Sequence, residues 1–443
     1  MMRPNTVKGA PSKAFQRMSI VFLVCVFAMP QYFGIGTASF ALTAQRLTML
    51  LMIAAIACNR DRRAEFAQSV AFEGISCAIV PLLFVMGFTA GYRDDLNSLL
   101  NTLIDAVIPF YLVMYIAKSV LGIPRTAKLL SRILLVVCLI ACVDAALHWN
   151  PYELVHTIPS VAGGSTWRAS SYRTAAMCSH PIAFGLYLIL MTPVACYDHE
   201  RRSVNIVKHL PTVLIASLAI LLSGSRMPQC LLIAELAFIY LFTDREIRYG
   251  ITPYLVIFFA FAVVLVYLFR DFGPVRRYVI LNLCQLSDSL FGTNFTLENF
   301  GYWQWVYTQS WDYRNLLPLL FFSPDYDPLI GLGVKASNFS NFAAIINGRR
   351  VESIDNYYVL QYLQFAWPGV FAILAVFYAV IARCVSGWRR SGSRLCLLLG
   401  IGFLLYFVDL WFVADLGTFK YLFPLAAIAC VGASAGLSKK QSK

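Results

Sequence analysis

The sequence predicts an all-α membrane protein with about twelve transmembrane helices and one long loop outside the membrane between the ninth and tenth helices. Of its 443 residues, 59% are hydrophobic and only 13% are charged, which gives a mean hydropathy of +0.67. Ordinary soluble domains carry about 25% charged residues. Apolar runs of about 20 residues, the length that crosses about 30 Å of hydrocarbon as a helix, recur at short intervals. A water-soluble fold is therefore excluded for most of the chain.

The apolar runs give the predicted spans and the division of the chain. The first run follows a basic segment without a small-x-small cleavage site, which indicates a retained span and not a cleaved signal peptide. We divide the chain into nine helices in 1–269, a loop domain in 270–356, and three helices with a C-terminal tail in 357–443. The predicted spans are 19–36, 40–58, 68–90, 99–118, 129–148, 178–197, 210–224, 227–243, 251–269, 357–382, 395–413 and 420–437.

Basic residues alternate along the connections between these spans. Every second connection is rich in Lys and Arg, and by the positive-inside rule these connections are cytoplasmic. Both termini are therefore predicted to be cytoplasmic, and the net charge of +13 reflects orientation and not nucleic-acid binding. The short connections on the outer side carry only Arg93, Arg168, Arg173, Arg226 and Lys420.

Common catalytic and metal-binding motifs are missing from the sequence. It contains no Walker loop and no GxGxxG, HExxH, GxSxG or CxxC pattern, so ATPase, Rossmann and common hydrolase functions are excluded. Nearly all of the twelve cysteines fall inside spans or on the cytoplasmic side. We expect no disulfide framework, no metal and no cofactor. No repeat relates the two halves, which disfavours transporters built from duplicated bundles.

The predicted outer loop, 270–356, mixes charged, aromatic and turn residues. Loops this long in compact proteins are usually functional. Its aromatic residues predict partly helical material at the membrane interface, and a simple interfacial anchor explains them equally well. They are Trp303, Trp305, Tyr307, Trp311 and Tyr313.

Several polar residues are predicted to emerge on the outer side together. Arg173 precedes the sixth span, Arg226 lies in a tight hairpin, Arg314 lies in the long loop, and Asp355-Asn356 precedes the tenth span. Each guanidinium offers a planar fork of donors that suits phosphate oxygens. Three of them close together would bind a diphosphate, although a single outer arginine is more often solvated or facing a lipid head group.

Other polar residues allow two interpretations. Arg276 and Arg277 are accessory candidates that also suit simple neutralisation of lipid head groups. His180, just before Pro181, is either an accessory catalytic group or a helix cap. Charges within the spans indicate either an ion route or, more commonly, pairs between helices. These charges are Arg46, Glu73, Asp105, Asp144, Glu235 and Asp409.

Four segments, taken in order, resemble the O-antigen ligase and polymerase superfamily over roughly 165–385. Leu222-Ser-Gly-Ser-Arg226 is similar to the "SGSR" turn of that family. The other three segments are Arg173-Thr-Ala-Ala-Met-Cys-Ser-His180-Pro181, then Arg314 followed by Asp327-Pro-Leu-Ile-Gly-Leu-Gly333, and finally Ser353-Ile-Asp-Asn-Tyr-Tyr-Val-Leu360 with a later Gly369.

The resemblance implies a metal-independent membrane glycosyltransferase of the C type at the periplasmic face of the bacterial inner membrane. It implies that Arg226 and Arg314, with Arg173 as a third, bind the diphosphate of an undecaprenyl-diphosphate glycan while an acceptor hydroxyl attacks the anomeric carbon. Asp355 stands where the ligases carry His, and a carboxylate there would act as a general base or orient the acceptor.

Asp355 favours polymerisation of O-antigen, capsule or exopolysaccharide repeat units. The alternatives are an O-antigen ligase that transfers glycan to lipid A core or another acceptor, and a polysaccharide flippase. The expected partners are undecaprenyl-diphosphate-linked glycans, the lipid bilayer, and flippase and chain-length regulator proteins.

Overall fold

The computed structural model describes residues 12–36, 41–70, 74–93, 96–159, 163–168, 171–301, 314, 316–334, 344–346, 349–351, 354–414 and 416–435. These residues are mostly helical, as the sequence predicts. The predicted aromatic group at 303–313 and the intramembrane candidate Glu73 lie outside the described residues.

The helices follow one another closely along the chain. In the first part they are α1 Lys13–Ala28, α2 Ala44–Ala57, α3 Arg60–Ser69, α4 Ile75–Arg93, α5 Leu96–Val120, α6 Gly122–Leu147, α7 Pro181–Ala195, α8 Leu210–Leu222, α9 Arg226–Phe242 and α10 Arg245–Leu268. After these come a short helix Gly273–Val275, a π-turn Arg276–Ile280, α11 Leu281–Phe291, α12 Phe295–Phe300, a 3-10 turn Leu317–Phe322, α13 Tyr357–Ser391, α14 Arg394–Asp409 and α15 Phe419–Ala435.

Strands occur only as short antiparallel hairpins within the described ranges. The strands are β1 Gly34–Gly36 paired with β2 Ala41–Thr43, β3 Thr166–Arg168 paired with β4 Ser171–Arg173, β5 Tyr197–Asp198 paired with β6 Ser203–Val204, and β7 Ala344–Ile346 paired with β8 Arg349–Val351.

Polar residues and prolines set the helix ends. The side chains of Thr43, Asn59 and Ser393 accept hydrogen bonds from the first free amides of α2, α3 and α14. Such caps satisfy amide groups that a helix leaves without a partner. Pro30 lies two residues after the end of α1, where its ring cannot continue a helix.

Every predicted span overlaps a helix, but the helices differ in length. Among the described residues, five are long and apolar enough to cross a membrane, namely α4, α5, α6, α10 and α13. Other helices are shorter than the length of about 20 residues that a helix needs to cross a membrane. Helix α8, for example, has 13 residues. The long apolar helices indicate a multi-pass membrane protein. The number of about twelve spans, their orientation and the outer loop domain remain predictions.

Helix α7 lies at the centre of the bundle. All of its residues from Ala183 to Ala195 are buried, and it packs against α6, α9 and α14. A helix that is hydrophobic on every side needs neighbours all around it. Helix α13 packs against α4, α14 and α15 and completes the core on the other side.

Charged residues inside the bundle follow the predicted pattern of interhelical pairs in one clear case. Arg46 on α2 binds the Asp105 carboxylate on α5 through two nitrogens, at 2.6 and 3.0 Å. Such a two-point contact satisfies both groups away from water. Glu235 on α9 is different, because both of its carboxyl oxygens are buried without a hydrogen-bond partner in the described part of the chain.

Helix α13 is broken near its start, and a loop segment fills the break. Ala366 adopts φ 55°, outside the helical region, two residues before Pro368. The amides of Leu332 and Gly333 donate to the carbonyls of Leu363 and Gln364, at 2.8 and 3.0 Å. The loop thus supplies hydrogen-bond donors to carbonyls that the broken helix leaves open.

Gly331 is required where this loop meets the break in α13. A Cβ at this position would overlap the Gln364 carbonyl oxygen and the Phe365 amide. We predict that Gly331→Ala lowers the stability by about 1–3 kcal/mol, because the backbone of α13 cannot move aside easily. Thermal unfolding followed with a thiol-reactive dye measures this change through cysteines that the fold buries, such as Cys196.

Gly91→Ala on α4 is the matched control, because nothing lies within 4 Å of a Cβ there. It should leave the melting temperature unchanged or raise it slightly, since alanine favours helices. The loop segment that contacts the break is Pro328–Gly333. Equal melting temperatures for Gly331→Ala and Gly91→Ala would show that this segment does not pack against the break in α13.

Candidate functional site

Arg173 is held against the turn between α8 and α9. It lies at the end of β4 with only 6% of its surface exposed. Its Nε donates to the Ser223 carbonyl at 2.9 Å, and its Nη2 donates to the Ser225 hydroxyl at 3.0 Å. The neighbouring Thr174 amide donates to the Leu222 carbonyl at 3.2 Å. The β3–β4 hairpin, which is far from α8 and α9 in the sequence, therefore packs directly against the turn between them.

The turn itself has room for no larger residue than glycine. Gly224 has a φ of 59°, in the left-handed region that other residues avoid. A Cβ at this position would also lie 3.1 Å from Nε of Arg173. Arg226 follows as the first residue of α9 and is partly exposed. Arg173 and Arg226 thus lie at the same turn.

Asp144 on α6 holds the Arg173 hairpin in place. Its buried carboxylate accepts hydrogen bonds from Tyr172 at 2.6 Å, from Ser165 at 2.7 Å and from the Thr174 hydroxyl. Burial and the hydrogen bond to Asp144 raise the pKa of Tyr172, which keeps this phenol protonated as a donor. The sequence marks Asp144 only as a costly charge. In the structure, three hydroxyls on either side of Arg173 satisfy it.

Loss of this carboxylate should release the hairpin. We predict that Asp144→Ala lowers the stability by about 2–5 kcal/mol, because three buried hydroxyls lose a charged acceptor. Hydrogen exchange at the Thr174 amide should accelerate as well, since its bond to Leu222 depends on the hairpin position. Val143→Ala is the control on the same helix, at a side chain that is 46% exposed. A similar rate at Thr174 in both variants would contradict the anchoring role of Asp144.

A second group of charges forms around Arg314. Its Nη2 lies 2.7 Å from Oδ2 of Asp355, and both side chains are partly exposed. The Asn356 side chain, 2% exposed, accepts from the Val359 amide and caps α13. Asn356, which the sequence groups with Asp355 as a candidate site residue, therefore acts as a helix cap. Asp355 is the carboxylate that pairs with Arg314.

The start of α13 is fixed to the end of α14, which adds a second carboxylate. The Tyr357 amide donates to the Leu410 carbonyl at 2.9 Å, directly beside Asp409. Asp409 is fully buried and close enough to Arg314 for electrostatic attraction. Arg314 therefore has Asp355 as an ion-pair partner and Asp409 as a second acid nearby.

Helix α9 connects the two groups of charges. It packs against α14, and its Cys230 lies near both Arg226 and Asp409. Arg226 begins the same helix one turn earlier. The turn that holds Arg173 and Arg226 and the group around Arg314 thus lie on two helices that pack together. We call this set the arginine cluster: Arg173, Arg226, Arg314, Asp355 and Asp409.

The remaining predicted residues have other positions. His180 caps α7, because its Nδ1 accepts from the Ile182 amide at 3.1 Å. Arg276 is exposed, and its guanidinium lies 5.4 Å from the centre of the Phe300 ring. Arg277 lies in the π-turn that packs against α8, and its side chain is outside the described part of the structure. These contacts favour a capping role for His180 and a surface role for Arg276.

Lys420 is a buried cation to which the sequence analysis assigned no role. It is 5% exposed, lies at the start of α15, and lines a small cavity beside Cys178 and Ser179. Its Nζ lies 4.7 Å from the centre of the Tyr421 ring. The sequence feature that singles out Lys420 is its place in an outer connection, where basic residues are scarce. The fold brings it next to the segment that joins Arg173 to His180.

The arginine cluster is suited to hold an anion with a carboxylate beside it. Guanidinium groups bind phosphate oxygens at two points and keep their charge, so they stabilise a diphosphate as its negative charge grows. Within the described residues, no group of three or more His, Cys, Asp or Glu side chains could hold a metal ion. The cluster offers guanidinium groups that can bind an anion and a carboxylate that can accept a proton.

The fold defines a class: a mostly helical protein whose long apolar helices indicate a multi-pass membrane protein, with basic and acidic side chains grouped around the starts of α9 and α13. The chain matches no protein-family model and has no significant match among curated proteins. The resemblance to a family therefore rests on the four sequence segments alone.

Proposed function

We propose that this protein is a membrane glycosyltransferase that polymerises oligosaccharide repeat units carried on undecaprenyl diphosphate. The observation that supports the proposal is that Arg173 and Arg226 flank one turn at the start of α9, that α9 packs against α14, and that Arg314 pairs with Asp355 beside the end of α14. A diphosphate is the ligand that best fits several guanidiniums from separate segments. The reaction takes place at the periplasmic face of the bacterial inner membrane.

The ion pair between Arg314 and Asp355 suggests how binding and chemistry are coupled. In the free protein the carboxylate neutralises the guanidinium at 2.7 Å. A bound diphosphate takes over Arg314, and Asp355 becomes available to the acceptor hydroxyl. Asp409 is buried near Arg314.

The transfer then follows in one displacement. The acceptor oxygen attacks the anomeric carbon of the donor sugar, and its proton passes to the Asp355 carboxylate. The bond between the anomeric carbon and the diphosphate oxygen breaks, and its electron pair stays on the diphosphate. Arg173, Arg226 and Arg314 stabilise that growing charge. Each cycle forms one glycosidic bond and releases one undecaprenyl diphosphate.

The arginines provide a direct test in cells. We predict that Arg226→Gln and Arg314→Gln each lower the rate of chain extension by roughly 100-fold, the usual effect of removing one donor from a developing oxyanion. Gel analysis of surface glycan should show single repeat units in place of long chains. Arg270→Gln is the matched control, because this exposed arginine pairs only with its neighbour Asp271 among the described residues.

The same experiment separates the enzyme from a flippase. Loss of transport would abolish surface export altogether, whereas loss of polymerisation leaves single units at the surface. Surface glycan of normal chain length in both Arg226→Gln and Arg314→Gln would contradict the proposed reaction.

The acceptor distinguishes a polymerase from a ligase. We predict that purified protein, given lipid-linked repeat units alone, forms a ladder of products one unit apart, and that Asp355→Asn slows this strongly because the proton has no acceptor. Asn356→Asp is unsuitable as a control, since Asn356 caps α13. Single transfer that occurs only after lipid A core is added would instead identify a ligase.

A further inference from the structure

A second basic site lies at the opposite end of the bundle from the arginine cluster. Helix α13 begins beside Asp355, and Arg383 lies near its other end, on the order of 35–40 Å along the helix. Helix α15 likewise begins near Lys420 and carries Cys430 and Ser434 at its far end. The sequence predicts this end to be cytoplasmic.

A cavity of about 120 Å³ opens between the helices at this end. That volume holds several water-sized groups, enough for a phosphate with its oxygens. The ends of α3, α5, α13 and α15 and the start of α4 surround it. Its lining includes two cations, Lys118 and Arg383, with the hydroxyls of Ser69 and Ser434.

Both cations are oriented by neutral acceptors. The Lys118 Nζ donates to the carbonyls of Gln68 and Ser69, at 3.1 and 3.3 Å. The Arg383 Nη2 donates to the Ser434 hydroxyl at 2.7 Å and to the Cys430 carbonyl at 3.2 Å. Within the described part of the chain, which omits 71–73, neither cation forms an ion pair.

The nearby acid on α3 is already engaged. Glu65 lies one turn before Ser69 and accepts a hydrogen bond from the Tyr115 hydroxyl at 3.1 Å. Glu65 keeps its charge in this bond but does not line the cavity, whose described lining contains two cations and no acid. Charges held at a membrane interface in this way attract anions, and basic pockets between helices suit anionic lipid head groups.

An apolar path leads from the cavity along the outside of the bundle. On α4, Val80, Phe84 and Phe88 recur every four residues and are 48%, 74% and 56% exposed. Helix α13 packs against α4 and exposes Phe371 and Tyr378. From the start of α4 to Phe88 the path is roughly 20 Å long, comparable to one leaflet of a bilayer about 30 Å thick.

We propose that this cavity binds the phosphate head group of an anionic phospholipid, with its acyl chains along the exposed apolar face of α4 and α13. Lys118 and Arg383 hold the phosphate oxygens. The hydroxyls of Ser69 and Ser434 donate to the carbonyls of Glu65 and Cys430 and complete the polar lining of the cavity. The apolar path distinguishes a lipid from free phosphate, which has the same head-group chemistry but no chains to place there.

Native mass spectrometry of the full-length protein tests this proposal. The delipidated protein in neutral detergent is given phosphatidylglycerol, phosphatidylcholine with the same acyl chains, or inorganic phosphate. Phosphatidylglycerol should form a one-to-one adduct and raise the melting temperature more than either alternative. Equal binding of the two lipids, or equal stabilisation by inorganic phosphate, would overturn the assignment to an anionic lipid.

Variants localise the bound lipid. Lys118→Gln and Arg383→Gln should each weaken phosphatidylglycerol binding about fivefold, the effect of one cation near a lipid surface. Lys118→Arg and Arg383→Lys should retain binding, which separates loss of charge from loss of fold. Arg389→Gln is the control, because Arg389 is exposed at the same end of α13. An equal loss in Arg389→Gln would show that general surface charge, and not the cavity, binds the lipid.

Discussion

The buried carboxylate of Asp144 is the interaction on which the arrangement of the arginine cluster depends. A charge at this depth is stable only with donors around it. Its donors are hydroxyls on Tyr172 and Thr174, which immediately flank Arg173, and on Ser165, which precedes the same hairpin. Satisfying one buried charge therefore fixes the position of another. The hairpin is drawn onto α6, and Arg173 reaches the turn between α8 and α9 as a consequence.

The break in α13 serves the other half of the cluster. A continuous helix would have no open carbonyls, and the Pro328–Gly333 segment would have no place to bind. Because α13 is broken at Ala366, this loop is fastened to the bundle, where the Arg93 side chain also donates to the Gly331 carbonyl at 3.0 Å. The chain just before the loop carries Arg314. The carbonyls that the break leaves open thus accept hydrogen bonds from the same loop segment that the break holds in place.

The two ends of the bundle use basic residues in different ways. At the arginine cluster, Asp355 and Asp409 accompany the guanidiniums, so a ligand must compete with a carboxylate for Arg314. At the cavity on the opposite end, Lys118 and Arg383 have only neutral acceptors among the described residues. The first arrangement suits a substrate that binds and leaves. The second suits a lipid that stays bound.

The sequence by itself determined which segments are helical and apolar, where several of them begin and end, and which residues stand at those ends. Hydropathy, caps and prolines act within a few residues, so a single chain carries this information. It also selected Arg173, Arg226, Arg314 and Asp355 as candidates. Only the tertiary structure decided how they are held. The contacts join residues far apart along the chain, such as Asp144 to Tyr172 and Arg173 to Ser225, and no local pattern encodes such pairings. For the same reason the position of Asp409 near Arg314 and the burial of Lys420 became apparent only when the helices were packed together.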